Sequence, residues 1–171
     1  MASWPDPRIA DVLAKLDDAT YDGEVWKHTM PGQPPEAANT RGARWNPPGV
    51  SAIYVALSKG VALAEGQHLA SLQPQPLRSG RRVHHGNVVL RRVLDLRDPA
   101  ILAALSVTAA ELETSDFTAC QRVGGTAAWL GVEAVIVPSA RAHGANLVIF
   151  EQQLPPDNEI EFLDSEPVSE E

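Results

Sequence analysis

Cysteine, aromatic residues and long apolar runs are all scarce in this chain of 171 residues. The single cysteine, Cys120, has no partner for an internal disulfide and no second thiol for a zinc site, which fits a reducing compartment. No segment approaches the roughly 20 consecutive apolar residues of a membrane helix, and the N-terminus has neither a basic start nor an apolar signal segment. We therefore expect a cytoplasmic protein with no membrane partner, in which Cys120 is a small core residue.

Basic residues are absent from the last part of the chain. Beyond Phe150 the sequence has eight acidic residues and no Lys or Arg, so the net charge of −8 belongs entirely to that segment. The apolar content of 44% is enough for one core, and we assign residues 1–154 to a single catalytic domain. Residues 155–171 are too polar to bury themselves, and we expect an acidic, disordered tail. Solubility is its simplest role; partner binding and self-inhibition are the alternatives.

The spacing of apolar residues predicts both helices and strands. Asp98 with Pro99 is expected to start a helix, and Thr108 with Glu111 has the spacing of a capping box. Strands at both ends with helices between them predict an α+β fold with mixed or antiparallel sheets flanked by helices. The expected strands are 24–30, 52–57, 87–96, 133–139 and 146–154, and the expected helices are 9–16, 58–72, 98–105 and 117–130.

A glutamate interrupts the apolar stripe of the helix expected from Ser58 to Leu72. At 100° per residue, Val61, Glu65 and Leu69 fall within a sector of about 80°. A carboxylate that faces a core loses hydration, which is costly unless the group is paired or opens onto a cavity. Glu65 is therefore a candidate for chemistry. The structural alternative is an ion pair with one of the nearby arginines, 41 or 44.

Tyr54 and Arg44 precede that helix, and each also has a structural interpretation. Tyr54 lies inside an apolar strand, where core packing with the hydroxyl at the rim is ordinary. Arg44 stands beside Trp45, Asn46 and Pro47, a rigid aromatic setting that can hold a guanidinium for bidentate contact with phosphate or carboxylate. Each residue alone is a weak signal, but the cluster predicts a site.

Ser139 ends another apolar strand, directly after Pro138, and strand ends commonly face ligands. It does not lie in a G-x-S-x-G elbow, which argues against a hydrolase nucleophile of that type. A serine that only caps the turn is the alternative. Asn146 can orient the same loop or simply end it.

Other patterns point to little chemistry. His84 and His85 are adjacent, so in a strand they would point to opposite faces, and we expect solvated loop histidines and no metal site. Few aromatic residues interleave with the local arginines, so we do not expect direct nucleic-acid binding. Those arginines are Arg81, Arg82, Arg91, Arg92 and Arg97.

The segments "RGARWNPPGVSAIYVALSKGVALAE" and "VPSARAHGANLVIF" together resemble the RES domain family, named for its Arg, Glu and Ser. Members show an Arg-Trp-Asn segment before Pro and Gly, a strand with Tyr, a helix with Glu, and a Pro-Ser before an Asn-led apolar strand. The similarity spans roughly Val25 to Phe150. The family often carries an arginine in the first strand, where this chain has Lys27 beside His28, and lysine lacks the planar fork.

The resemblance implies a fold similar to ADP-ribosyltransferases and an enzyme that cleaves the nicotinamide N-glycosidic bond of NAD+, as a glycohydrolase or a phosphorylase. It further implies a toxin of a type II toxin–antitoxin pair, held inactive by an Xre-type antitoxin protein, with no cofactor and with inorganic phosphate as the co-substrate of a phosphorylase. Transfer of ADP-ribose to a macromolecule and a catalytically silent binding module are the alternatives.

Roles for individual residues follow from this resemblance and from the chemistry of the substrate. Glu65 would bind the nicotinamide ribose and stabilise its developing positive charge, while Arg44, assisted by Lys27, would hold the diphosphate. Tyr54 would pack on the nicotinamide end, and Ser139 would donate a hydrogen bond to phosphate or ribose. The catalytic assignments are Arg44, Tyr54, Glu65 and Ser139, and the substrate-binding assignments are Lys27, His28, Trp45, Asn46 and Asn146.

Overall fold

The computed structural model describes residues 3–75, 79–157 and 159–169. The strands are β1 (Ala19–Thr29), β2 (Ala52–Ala56), β3 (Arg82–Asp95), β4 (Ala134–Pro138), β5 (Ala145–Phe150) and β6 (Glu159–Pro167). The helices are α1 (Pro7–Ala14), α2 (Lys59–Ser71), α3 (Pro99–Ala104) and α4 (Thr118–Trp129), and a short 3-10 helix spans Glu151–Gln153. The predicted loop at 74–82 falls partly outside the described residues.

The six strands form one sheet that closes on itself. Their order is β1-β2-β5-β4-β3-β6, and β1 also pairs with β3, so the first five strands form a ring and β6 adds to β3 outside it. The β3–β4 pair is parallel and the other pairs are antiparallel. The predicted α+β class with a mixed sheet is confirmed. Closure into a ring was not predicted, because the sequence of a strand does not show which other strand its edge will pair with.

Local helix signals act as the sequence predicts. The Ser58 hydroxyl accepts a hydrogen bond from the amide of Val61 at 3.2 Å and starts α2, and Asp98 accepts one from Ala100 at 2.8 Å and starts α3. Thr108 and Glu111 exchange both capping-box hydrogen bonds, but the bonds close a turn and not a helix.

The two faces of the sheet bury the two larger cores, because side chains alternate along each strand. A third, smaller cluster of buried residues lies around Val61 of α2. On β5, Leu147 and Ile149 point into the ring, while Val148 and Phe150 pack against the helices on its outside. Cys120 is fully buried in the outer core, which confirms its predicted role. Within the described ranges, no helix is both long and apolar enough to cross a membrane.

The predicted disordered tail is wrong for most of its length, because residues 159–167 form β6 and pair with β3 along its first half. Ile160 and Phe162 pack against the core inside the ring, while Glu161 between them is exposed. The segment therefore has the two-residue period of a half-buried strand. Its acidic composition concealed that period from the sequence analysis.

The expectation of solvated loop histidines is also wrong, since both residues lie inside β3. His84 is half-buried, and its Nε2 lies 2.8 Å from the hydroxyl of Thr29. The ring nitrogens of His85 lie 3.0 Å from a Glu24 carboxylate oxygen and 3.4 Å from one of Asp164. No cluster of three metal-binding side chains occurs in the described part of the chain.

Gly86 tests whether β6 is docked in solution. A Cβ built on Gly86 would lie 2.3 Å from the carbonyl oxygen of Glu161, so β6 must shift to admit a methyl group. We expect Gly86→Ala to lower the free energy of unfolding in urea by about 1–3 kcal/mol. Gly60→Ala, in the first turn of α2 with open space around it, is the control and should be neutral or stabilising. Equal stability of the two variants would mean that β6 is not seated on β3.

Candidate active site

The predicted site residues converge on one cavity of about 650 Å³, bounded by α2, β1, β2, the loop before β2 and the turn between β4 and β5. Seven of the nine assigned side chains line it: Lys27, His28, Arg44, Trp45, Tyr54, Glu65 and Asn146. The other two, Asn46 and Ser139, lie behind its wall and hydrogen-bond to lining residues.

The carboxylate of Glu65 is held from two directions. Its Oε1 accepts hydrogen bonds from the Ser139 hydroxyl at 2.6 Å and from the Asn146 side-chain amide at 2.9 Å. The Ser139 oxygen itself accepts from the backbone amides of Arg141 and Ala142, at 3.1 and 3.2 Å, so the hydroxyl proton is directed to Glu65. Oε2 makes no hydrogen bond with any described residue and is available to a ligand.

Close packing of α2 on the β4–β5 turn brings these groups together. Gly144 lies in that turn at φ 150°, and a Cβ on it would stand 2.5 Å from a methyl group of Val61. Only glycine allows this approach. Glu65 follows Val61 by four residues, one helical turn further along the same face, and so reaches Ser139. Asn146 pairs in register with Ala56 of β2.

The predicted environment of Glu65 needs two corrections. Glu65 forms no ion pair with a described residue, so the alternative of a salt bridge to an arginine is wrong. Leu69 and Leu72, which were expected to share a buried stripe with it, are 50% and 64% exposed. Both line the cavity. The face of α2 that carries Glu65 therefore opens onto a cavity, which relieves the cost of burying a carboxylate.

Tyr54 fixes the loop that precedes its own strand. Its hydroxyl donates to Oδ1 of Asn46 at 2.6 Å and accepts from the backbone amide of Trp45 at 2.9 Å. Asn46 is fully buried and donates in turn to the carbonyls of Val50, at 2.8 Å, and Asn39, at 3.2 Å. Burial raises the pKa of Tyr54, so the phenol is neutral. Its hydroxyl is committed to the wall, and its ring is the part that lines the cavity.

Arg44 directly precedes Trp45 in the same loop, and its side chain is held by contacts of its own. Its Nη1 donates to the backbone carbonyl of Glu111 at 3.1 Å, and its guanidinium carbon lies 4.7 Å from the centre of the Phe117 ring. These contacts orient the planar group without neutralising its charge. Arg44 therefore stays available to an anion.

Lys27 and His28 reach the cavity from β1. Burial lowers the pKa of Lys27 to about 8. The pKa of His28 falls to about 4, mainly through burial and then through the neighbouring positive charges of Arg81 and Lys27. At pH 7 the imidazole of His28 is neutral.

The charged side chains lining the cavity are mostly basic. Four bases face one acid, in a protein whose total charge is −8. These bases are Lys27, Arg41, Arg44 and Arg141, and the acid is Glu65. Two of them, Arg41 and Arg141, were not assigned from the sequence, although they stand three residues before Arg44 and two after Ser139. Such a cavity suits an anionic ligand.

Tyr54→Phe tests the hydrogen-bond network that holds the loop. The change leaves the amide of Trp45 and the buried side chain of Asn46 each without one partner, and we expect a loss of about 1–3 kcal/mol in the free energy of unfolding. Tyr21→Phe is the matched control, since that hydroxyl donates to the Glu24 carbonyl at an exposed position. It should change stability by less than about 0.5 kcal/mol. Denaturant titration of both variants decides, and equal losses would contradict this account of the loop.

Comparison with known proteins finds relatives of this chain in sequence. The sequence model of the RES domain matches residues 21–168, which carries the match past the predicted boundary at residue 154 and across β6. The NAD(+) phosphorylase MbcT of Mycobacterium tuberculosis, and that of Mycobacterium bovis, are 32% identical over 126 residues, covering 71% of this chain and 68% of theirs.

The fold also has a solved counterpart. A chain in the crystal structure of the M. tuberculosis MbcT–MbcA toxin–antitoxin complex superposes with a TM-score of 0.80 at 23% identity, covering 96% of this chain and 93% of that one. With the cavity, the sequence match and the fold in agreement, this chain belongs to the RES domain family.

Proposed function

We propose that this protein degrades NAD+ by transferring its ADP-ribosyl group from nicotinamide to inorganic phosphate. The observation that carries the proposal is one oriented carboxylate, Glu65, in a cavity where the four Lys and Arg residues of the lining face it as the single acid. NAD+ matches that arrangement because it carries a diphosphate and a ribose whose reacting carbon becomes positive. The name of the relatives at 32% identity, NAD(+) phosphorylase, supports the same reaction.

The chemistry explains why a single carboxylate is enough. The pyridinium nitrogen of bound NAD+ is already cationic, so when the C–N bond breaks its electron pair returns to the ring and nicotinamide leaves neutral. The leaving group needs no general acid, unlike the leaving groups of ordinary glycosidases, which use two carboxylates. A phosphate oxygen forms the new bond to the ribose carbon. The products are nicotinamide and ADP-ribose 1″-phosphate, and the phosphate proton is released to solvent.

Glu65 would act at the reacting ribose. Ser139 and Asn146 hold Oε1, which leaves Oε2 to accept from a ribose hydroxyl and to stabilise the charge that develops toward an oxocarbenium ion. Because the donors are fixed before substrate binds, the carboxylate does not have to reorganise during the reaction. Ser139 is in this scheme a positioning residue and not a nucleophile.

The rest of the cavity would bind the substrate. Arg44, held over Phe117, together with Arg41 and Arg141, would neutralise the diphosphate. The ring of Tyr54 offers apolar surface for the nicotinamide end, while Trp45 is 2% exposed and supports that wall from the core. These roles fit the ADP-ribosyltransferase-like fold that the family resemblance implies.

We also propose that the protein is the toxin of a toxin–antitoxin pair, with an Xre-type antitoxin as its partner. The solved structure with the same fold is a complex of a toxin with its antitoxin, MbcA, which supports this role. Loss of NAD+ would arrest a cell, so such an enzyme needs an inhibitor. Co-expression with the product of the adjacent gene should suppress nicotinamide release, and an unaffected rate would argue against a cognate antitoxin.

The central test is nicotinamide release from NAD+ by the purified protein, with and without inorganic phosphate. We expect phosphate-dependent release with ADP-ribose 1″-phosphate as the second product, identified by mass spectrometry. Glu65→Gln keeps the size of the side chain and removes its charge, and should slow turnover by about 100-fold or more. Glu113→Gln, at an exposed position away from the cavity, is the control and should be fully active.

The products also separate the competing functions. Free ADP-ribose formed at the same rate without phosphate would identify a glycohydrolase. Label from NAD+ appearing on protein or nucleic acid would identify a transferase. A wild-type protein that binds NAD+ and releases no nicotinamide under either condition would contradict the enzymatic proposal and favour a silent binding module.

A further inference from the structure

Arg81, just before β3, is a buried positive charge that the proposed reaction has not used. It is 6% exposed. Its Nη1 lies 3.2 Å from Nε2 of His28 and 3.5 Å from the carbonyl oxygen of Gly66, and its Nη2 lies 3.3 Å from Oε1 of Gln67. Among the described residues no carboxylate lies within ion-pairing distance of it. A buried charge without a counter-charge is destabilising, so its presence calls for a function.

A second uncompensated cation, Lys27, directly precedes the same histidine in β1. Lys27 lines the cavity and forms no ion pair or side-chain hydrogen bond with any residue that the structure describes. Burial alone lowers its pKa to about 8, and no neighbouring acid offsets that effect. Burial, and then the charges of Arg81 and Lys27, lower the pKa of His28, which is neutral at pH 7, so the group as a whole carries positive charge with no paired negative charge among the described residues.

The same group has hydrogen-bond donors without acceptors. A guanidinium can only donate, so Nε2 of His28 must accept from Arg81 and the imidazole proton must sit on Nδ1. That Nδ1, and Nε of Arg81, are buried with no acceptor among the described residues. Both atoms are enclosed by protein, so a ligand in the cavity does not reach them, and the group acts on the cavity through its uncompensated positive charge. That charge favours an anion in the adjoining cavity.

The position of this positive group relative to Glu65 indicates which anion it would bind. The His28 ring packs directly on the backbone of Gly66, where a Cβ would lie 2.1 Å from the ring carbon Cγ. Gly66 follows Glu65 in sequence, so the positive group adjoins the carboxylate proposed to act on the ribose. Arg44, in contrast, is held on the opposite wall by Glu111 and Phe117. An oxyanion beside Glu65 is placed to attack the ribose carbon.

We propose that Lys27 and His28, with Arg81 behind them, form the subsite for the acceptor, inorganic phosphate. This proposal rests on the proposed function and adds the location of its second substrate. Lys27 would contact the phosphate. Arg81 is a positioning residue: it fixes the His28 ring and the Gly66 carbonyl, and its charge acts through the weakly screening interior between them. The bound phosphate supplies the counter-charge that the protein lacks.

The diphosphate of NAD+ has the same oxyanion chemistry, so the experiment must separate the two ligands. Isothermal titration of the full-length protein in a phosphate-free buffer measures binding of inorganic phosphate alone and of ADP-ribose alone. We expect Arg81→Met and Lys27→Met each to weaken phosphate binding by about tenfold or more and to change ADP-ribose binding much less. Arg81→Lys, which restores the charge, should recover part of the phosphate affinity.

Arg82→Met is the matched control, because Arg82 is the next residue, points to Ser165 of β6 and does not line the cavity. It should bind phosphate as the wild type does. If Arg81→Met fails to fold, Lys27→Met still tests the subsite, because a lysine that lines the cavity can be replaced without emptying the core. In steady-state assays the same changes should raise KM for phosphate and leave KM for NAD+ nearly unchanged.

Three results would overturn the subsite: a wild type that binds no phosphate, a phosphate affinity unchanged in Lys27→Met, or equal weakening of phosphate and ADP-ribose. None of these depends on turnover. Phosphate binding that needs Lys27 and Arg81, in a protein that releases no nicotinamide, would establish the subsite and contradict the proposed function. If the variants release nicotinamide with the same dependence on phosphate as the wild type, the proposed function would stand and the subsite would be wrong.

Discussion

The hydrogen bonds from Ser139 and Asn146 to Glu65 are the interaction on which the site depends. They join α2 to the turn between β4 and β5, so they require β2 to pair with β5 and the helix to be packed tightly on that turn. A half-buried carboxylate without these donors would be costly, and the donors without it would be unpaired. The geometry of the carboxylate is therefore a consequence of the fold as a whole.

The net charge of −8 conceals an uneven distribution of acidic and basic residues in the fold. Acidic residues lie on β6, which pairs with β3, while the cavity collects Lys27, Arg41, Arg44 and Arg141 around one carboxylate. A negatively charged exterior and a positively charged cavity attract ligands of opposite kinds, so the cavity can favour small anions although the net charge of the protein is negative. The two properties coexist because charges in a partly enclosed cavity are screened less by solvent than charges on the surface.

Much of the site was predictable because its residues stand at the end of a strand or interrupt the apolar face of a helix. Glu65 broke an apolar stripe, and Ser139 followed a strand directly. The contacts between them were not predictable, since they depend on close approaches at Gly144 and Gly66 that no local pattern reveals. Arg81 was noticed only as one of several arginines, because burial without a counter-charge is a property of the folded chain. The β6 strand was missed because its acidic composition outweighed a clear alternation.

The most direct test of the central claim is a crystal structure of the protein with ADP-ribose bound. The account predicts the ribose that carries the free anomeric carbon within hydrogen-bonding distance of the unoccupied oxygen of Glu65, while Ser139 and Asn146 still hold the other. The diphosphate should lie against the arginines of the opposite wall. A nucleotide bound outside this cavity, or a Glu65 carboxylate turned away from the ribose, would contradict the account.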